Sequence, residues 1–416
     1  DAFDGGNIEF VSQETTGDGA LDVKLKVRPD PYTELEKTNH LQYFAFRSTI
    51  TSPDISSVTF RILNAAECSY PKAWDGSTVF ATRQLRDEHS WTRCTDTKYH
   101  DGELQWTVTN PSVGSTYYAY FPPYTYDRHL QLVQDSVDAG AKLDILGKSL
   151  DGRDMECLQV GTGSLKAWLI HRQHPGETMA EYYAEGLLTR LLGLKTNGSV
   201  DGFTRQILSK FTFYIVPNMC PDGGVRGHLR TNAGGANLNR EWASSPDYEA
   251  PTLERSPEVY SVLKKMDETG VDVFLDVHGD EALPANFLAG SEGCPNWGPR
   301  LEGLHGAFLA SYSRANSDMQ VKIGYDPDEP LQGKMNVCSN QIAKRFDCLS
   351  VTLEMPFKDC ISNPDPSRGW SPGRAQQLGA SVVEALDYVE PHLRTTEEFW
   401  TNLSEKDAYV RPASKY

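Results

Sequence analysis

A histidine and a glutamate three positions apart, His174 and Glu177, lie in a turn stiffened by Pro175 and Gly176, and that spacing lets both side chains converge on one metal ion. Alone, the pair also fits a polar helix start, where the helix dipole favours a glutamate. A catalytic zinc takes three protein ligands and keeps one position open for water, so a third ligand has to come from elsewhere. His278 is the candidate, because the apolar run Val271 to Val277 delivers it at its end. Glu354 lies inside another apolar run, Val351-Thr352-Leu353-Glu354-Met355-Pro356, where a carboxylate is costly to bury alone. Its two accounts are a buried pairing with an arginine and a catalytic base. With His174, Glu177 and His278 on zinc, the metal would lower the pKa of a water and polarise a carbonyl. Glu354 would take that water's proton and pass it to the leaving amine, and Arg230 would stabilise the oxyanion. Asn239 and Arg240, in the Gly-, Asn- and Arg-dense stretch from Arg226 to Trp242, suit a terminal carboxylate, since guanidinium grips one through two parallel bonds. Arg226 reads as a solvated loop charge.

These groups need a scaffold that brings four distant stretches together. Leu165 to Ile170 reads as a strand, and Ala180, Ala184, Leu187 and Leu191 recur at helical spacing after the turn. Phe211 to Val216, Val271 to Val277 and Leu349 to Leu353 are further apolar strands separated by helical patterns, which predicts a largely parallel sheet covered by helices. Such sheets bind ligands outside the carboxyl ends of their strands, where every residue named above falls. Residues 1–126 follow another grammar. Leu21 to Val27, Val58 to Ile62 and Leu104 to Val108 alternate apolar and polar side chains, which predicts an antiparallel sandwich. Trp74, Trp91 and Tyr43 read as its core rings and not as a carbohydrate platform. The stiff junction from Tyr117 to Tyr126 leads into a catalytic domain over residues 127–391, and 392–416 read as a polar tail.

The 416 residues carry a formal net charge of −17, which disfavours nucleic acid and anionic membrane surfaces as partners. No apolar run approaches a membrane span, and the residues before the first strand do not read as a signal peptide. The eight cysteines form no C-x-x-C pair and read as reduced thiols in a cytoplasmic protein.

The set His174-Pro175-Gly176-Glu177, Pro221-Asp222-Gly223, Arg230, Asn239-Arg240, His278-Gly279 and Thr352-Leu353-Glu354 resembles the zinc carboxypeptidases related to carboxypeptidase A. The preceding β domain, the Tyr-Ala-Tyr-Phe-Pro-Pro-Tyr-Thr-Tyr junction and the Asn-Leu-Asn-Arg loop resemble the bacterial-type members of the cytosolic carboxypeptidase branch. The resemblance implies an α/β/α domain around a mixed sheet behind an N-terminal β-sandwich. It implies one zinc per chain on His174, Glu177 and His278, Glu354 as general base, Arg230 at the oxyanion and Asn239 with Arg240 on the substrate carboxylate. The substrate would be a peptide or protein C-terminal tail.

Three departures from the family pattern stand out. Asn237 occupies the place of an aspartate that supports the first zinc histidine, and its amide oxygen can still accept that hydrogen bond. Ser339 replaces the basic residue of the branch that trims acidic tails, with Lys334, Lys344 or Arg345 as substitutes. Tyr325 is a weak match for the substrate-capping tyrosine and stays outside the catalytic set. Two other readings remain open: a zinc amidase or deacylase of small N-acyl amino acids, and a non-catalytic binding protein on the same fold.

Overall fold

The computed structural model describes residues 1–17 and 19–408. Alternation builds the N-terminal unit. The strand Ala20–Lys26 buries Val23 and Leu25, and Ser57–Ile62 buries Val58, Phe60 and Ile62. With Glu103–Thr109 and the edge strands Glu9–Thr15 and Lys98–His100 they make a five-stranded sheet. It faces a four-stranded sheet of Ala45–Ile50, Gly114–Ala119, Val79–Thr82 and Thr92–Cys94. Aromatic rings fill the space between, with Phe46 and Phe60 at 5.6 Å and Phe60 and Tyr118 at 4.9 Å between centroids. Trp74, Trp91 and Tyr43 are buried core rings, as read from the sequence. One pair departs from the antiparallel pattern: Ala20–Lys26 runs parallel to Ser57–Ile62. Between them the chain crosses to the other sheet through Ala45–Ile50, and such a crossover returns the chain in the same direction.

The second unit is organised by a seven-stranded sheet. Its four central strands, in the order Phe211–Val216, Leu165–His171, Val273–Asp280 and Leu349–Pro356, are parallel and are the four apolar runs of the sequence. Phe211–Val216 and Leu349–Pro356 are buried throughout, which is why they lack alternation: both faces are covered by helices. The antiparallel edges, Lys142–Lys148 with Asp154–Val160 on one side and Phe287–Ala289 on the other, have no comparable sequence signal. Lys142–Lys148 is largely solvated and Phe287–Ala289 has only three residues.

Helix Met179–Leu192 starts directly after the turn that carries His174 and Glu177, is buried on nearly every side and ends on Gly193 in the left-handed region (φ 66°). Residues 392–408 are less peripheral than the polar tail expected. Phe399 is buried against the domain and Asp407 pairs with Arg314 at 2.9 Å; the rest of the tail lies outside the described residues. All eight cysteines are free thiols. No helix among the described residues is long and apolar enough to cross a membrane.

Candidate active site

Sheet register brings the first groups together. Ile170 lies opposite Asp276 on one neighbouring strand, and His278 lies opposite Glu354 on the next. The chain leaves strand Leu165–His171 through Arg172, a non-glycine residue in the left-handed region (φ 59°), a conformation held only by surrounding contacts. Arg172 supplies them from a buried position. Its Nε donates to the Pro175 carbonyl at 2.9 Å, and Nη1 donates to the Tyr124 carbonyl at 2.9 Å and to Glu181 Oε2 at 2.7 Å. Gln173 Nε2 donates to Asp276 Oδ2 at 2.7 Å, and Gln173 Oε1 accepts from Trp242 Nε1 at 2.9 Å. The turn carrying His174 and Glu177 is therefore clamped on both sides.

His174, Glu177 and His278 are buried and offer ligand atoms that all lie within 4.8 Å of one another. His174 Nδ1 is 2.7 Å from Glu177 Oε1, and His278 Nδ1 is 2.8 Å from Glu177 Oε2. The outer ring nitrogens have their own partners, His174 Nε2 with Asn237 Oδ1 at 3.1 Å and His278 Nε2 with Asp276 Oδ1 at 2.9 Å. Partners on Nε2 fix the ring orientation and turn both Nδ1 atoms to the common point. Burial and then the Arg230 charge push His174 down to about 4. Burial acts to raise Glu177, but the two histidines outweigh it and hold the carboxyl well below its usual range. Two imidazole nitrogens and an ionised carboxylate form a donor set that suits zinc, so the residues fit the metal that the resemblance implies.

Glu354 extends into the same space. Its Oε1 accepts from the Tyr325 hydroxyl at 3.3 Å, and its Oε2 is buried with no hydrogen-bond partner. No arginine pairs with it among the described residues. Burial drives its pKa well above the ordinary carboxylate value; the His278 charge opposes the rise and the Glu177 charge adds to it. Tyr325 also donates to Asp280 Oδ2 at 2.6 Å. A cavity of about 550 Å³ opens from this point, and its lining includes His174, Glu177, Glu354, Arg230, Asn239 and Arg240. Arg230 Nη1 donates to the Tyr70 hydroxyl at 3.3 Å. Asn239 Oδ1 accepts from the Cys338 amide at 2.9 Å, which leaves its amide nitrogen as the end that can donate to a ligand. Burial and the neighbouring Arg230 charge lower the pKa of Arg240.

Arg226 is turned away, paired with Asp151 at 2.6 Å. Of the three cations that might stand in for a basic residue at Ser339, Lys334 lines the cavity, while Arg345 is engaged with Asp267 at 2.6 Å. Ser339 lines the cavity as well and accepts from Thr352 Oγ1 at 3.1 Å. Sequence reasoning missed Asp276, Asp280, Tyr70 and Glu281, the last of which also lines the cavity. Asp276 carried a usable signal, a carboxylate inside the apolar run Val273 to Val277, the same signal that marks Glu354. Tyr70 lies 160 positions from Arg230 and carries none.

Residues 1–121 match the cytosolic carboxypeptidase N-terminal domain, and residues 126–357 match the zinc carboxypeptidase domain. The metallo-carboxypeptidase of Pseudomonas aeruginosa, solved in complex with (2-guanidinoethylmercapto)succinic acid, is 37% identical, with 94% of this chain and 99% of that one covered and a TM-score of 0.85. The metallo-carboxypeptidase of Burkholderia cenocepacia is 38% identical, with 94% and 97% covered and a TM-score of 0.82. An uncharacterised protein of Zymomonas mobilis is 43% identical over 386 residues, 92% of this chain and 94% of its own length. Cytosolic carboxypeptidase 3 of Bos taurus is 25% identical over 319 residues, which are 70% of this chain and 30% of that longer protein. The chain belongs to the zinc carboxypeptidase family, in the cytosolic carboxypeptidase branch with its bacterial members, and is a peptidase of the hydrolase class.

Proposed function

We propose that the protein removes the C-terminal residue from peptides or flexible protein tails, with one zinc ion on His174, Glu177 and His278. The observation that carries this reading is the convergence of three buried donors at the sheet's carboxyl end, beside a Glu354 oxygen that has no partner. A zinc ion there supplies Lewis-acid polarisation of the scissile carbonyl and a lowered pKa for the attacking water. Glu354 accepts the proton of that water and returns it to the leaving amine. Arg230 meets the charge that develops on the carbonyl oxygen. Arg240 and the Asn239 amide bind the terminal carboxylate, which restricts cleavage to the last peptide bond. Asn237 holds the His174 ring. Tyr325 lines the same cavity and its hydroxyl donates to Glu354 Oε1.

The division that supports this chemistry is a sandwich over residues 1–126, a catalytic domain over 127–391 and a tail over 392–416. Free thiols at all eight cysteines support a cytoplasmic setting. The ligand of the Pseudomonas relative joins a succinic acid to a guanidino group. In this chain Arg230, Arg240 and Asn239 would take a carboxylate, and Glu292, Asp326 and Asp328 line the same cavity with Lys334. That balance favours neutral or basic C-terminal residues over acidic ones.

The test is a library of short peptides with free or amidated C-termini, followed by mass spectrometry with zinc-quantified protein and with Glu354→Gln. Loss of single residues from free C-termini alone, absent in the variant, is the expected result. Stoichiometric zinc without any shortened peptide would overturn the reading and turn attention to N-acyl amino acids.

A further inference from the structure

The loop that carries Arg230 is not held by the catalytic domain alone. Asp30 belongs to the N-terminal sandwich, in the connection between strands Ala20–Lys26 and Ala45–Ile50, and is 4% exposed. Its Oδ1 accepts from the Leu229 amide at 2.7 Å. Its Oδ2 accepts from the Arg230 amide at 2.8 Å, the Thr231 amide at 2.9 Å and the Thr231 hydroxyl at 3.0 Å. No lysine, arginine or histidine lies within ion-pair distance of Asp30 among the described residues. A buried carboxylate without a cation is expensive unless hydrogen bonds satisfy it. Here all four go to three consecutive residues centred on Arg230, a backbone nest for an anion.

The same connection grips the rest of the loop. Glu36 Oε1 accepts from the Asn237 amide at 3.3 Å. Gly235 has φ +78°, and a Cβ there would come within 1.9 Å of the Tyr32 carbonyl oxygen. Tyr70, also in the sandwich, accepts from the Arg230 guanidinium. Backbone and side chain of Arg230 are thus fixed from the other domain.

We propose that Asp30 is a positioning residue for the reaction: it sets the backbone of residues 229–231 so that the Arg230 guanidinium faces the scissile carbonyl, which makes the N-terminal sandwich a working part of the active site. The inference rests on the role given to Arg230 above. A group misplaced by about 1 Å costs on the order of a hundredfold in rate, and an oxyanion donor contributes through the transition state and not through ground-state binding.

The experiment compares steady-state kinetics of the zinc-loaded full-length protein with those of Asp30→Asn, Thr231→Val, Arg230→Ala and the two doubles on Arg230→Ala, on one cleaved peptide. Asp30→Asn keeps the shape but replaces an acceptor oxygen with a donor. It is expected to lower kcat by roughly 10- to 100-fold, with KM and zinc content held, and to cause no further loss on the Arg230→Ala background. Thr231→Val removes one contact, leaves the backbone amides in place and is expected to lower kcat about fivefold; it decides the matter if Asp30→Asn does not fold. Wild-type kcat in these variants, or the same loss with and without Arg230, would overturn the positioning role. Full activity in Arg230→Ala would instead overturn the oxyanion role on which it rests.

Discussion

Replacing Arg172 with methionine tests how the turn that carries His174 and Glu177 is held. Methionine matches the aliphatic length of arginine, so the change removes charge and donors more than volume. Glu181, fully buried, would keep His129 Nδ1 at 2.7 Å and Asn218 Nδ2 at 3.1 Å but lose its guanidinium partner at 2.7 Å. The carbonyls of Tyr124 and Pro175 would lose a buried donor each. The left-handed backbone at position 172 brings no relief, because methionine is as strained there as arginine. Breaking one side of a buried ion pair costs about 3–5 kcal/mol, and each of the two orphaned acceptors adds roughly 1 kcal/mol or more, so a loss of about 5–7 kcal/mol follows.

A loss of that size is a large part of an ordinary protein's stability. The assay is urea unfolding in excess chelator, so that zinc binding does not mask the change. The double variant Arg172→Met/Glu181→Gln should recover part of the loss, because the uncompensated charge is then gone. Zinc affinity of the single variant, read by chelator competition, should also fall, since Pro175 is no longer tied. A change under about 1 kcal/mol with unaltered zinc affinity would refute the idea that Arg172 clamps the turn.

Three further outcomes follow from the same geometry. Burial works to lower the pKa of His129, but Glu181 and Glu156 outweigh it and raise the ring to about 9. From an unfolded value near 6.5, this stabilisation is complete below about pH 6.5 and is lost as pH climbs through 9, about 3 kcal/mol in all. Urea midpoints should therefore fall across that window more steeply in the wild type than in His129→Gln, and equal slopes would refute the assignment. Asn237→Asp gives His174 Nε2 a charged acceptor and should tighten zinc binding about tenfold, checked by chelator competition; weaker binding would contradict it. Gly186→Ala should gain about 1 kcal/mol in helix propensity. A Cβ there would lie 1.9 Å from the Gln376 carbonyl oxygen of the helix Pro372–Ala380, and overpacking of about 1–3 kcal/mol or more should win, lowering the thermal midpoint. A raised midpoint would show that the helices separate freely.

What could be read from the residues was local or carried by strand ends. His174 and Glu177 share one turn, and His278 and Glu354 close apolar runs whose polar termini have no folding reason to be there. The parallel core was legible for the same reason: strands buried on both faces leave uninterrupted apolar runs. The antiparallel edges were not, since Lys142–Lys148 is solvated and Phe287–Ala289 is too short for a period to register. The supports of the site were hidden by distance along the chain. Asp30 stands 200 positions from Arg230, in a stretch whose own pattern shows only a turn. Its partners are backbone amides, which every residue carries and no sequence displays. Tyr325 was named only through the family resemblance, because it lies outside any strand or helix, where neither period nor spacing marks it.

The central claim is that the Nδ1 atoms of His174 and His278 share one zinc ion with Glu177, with Glu354 standing beside the metal unbound. The most direct measurement is a crystal structure of zinc-loaded Glu354→Gln with an uncleaved peptide, using anomalous scattering at the zinc edge. The account predicts a single anomalous peak at about 2.0–2.2 Å from the two Nδ1 atoms and a Glu177 oxygen, with the peptide's terminal carboxylate on Arg240 and Asn239. A peak centred elsewhere, or zinc bound through the Nε2 atoms beside Asn237 and Asp276, would contradict it.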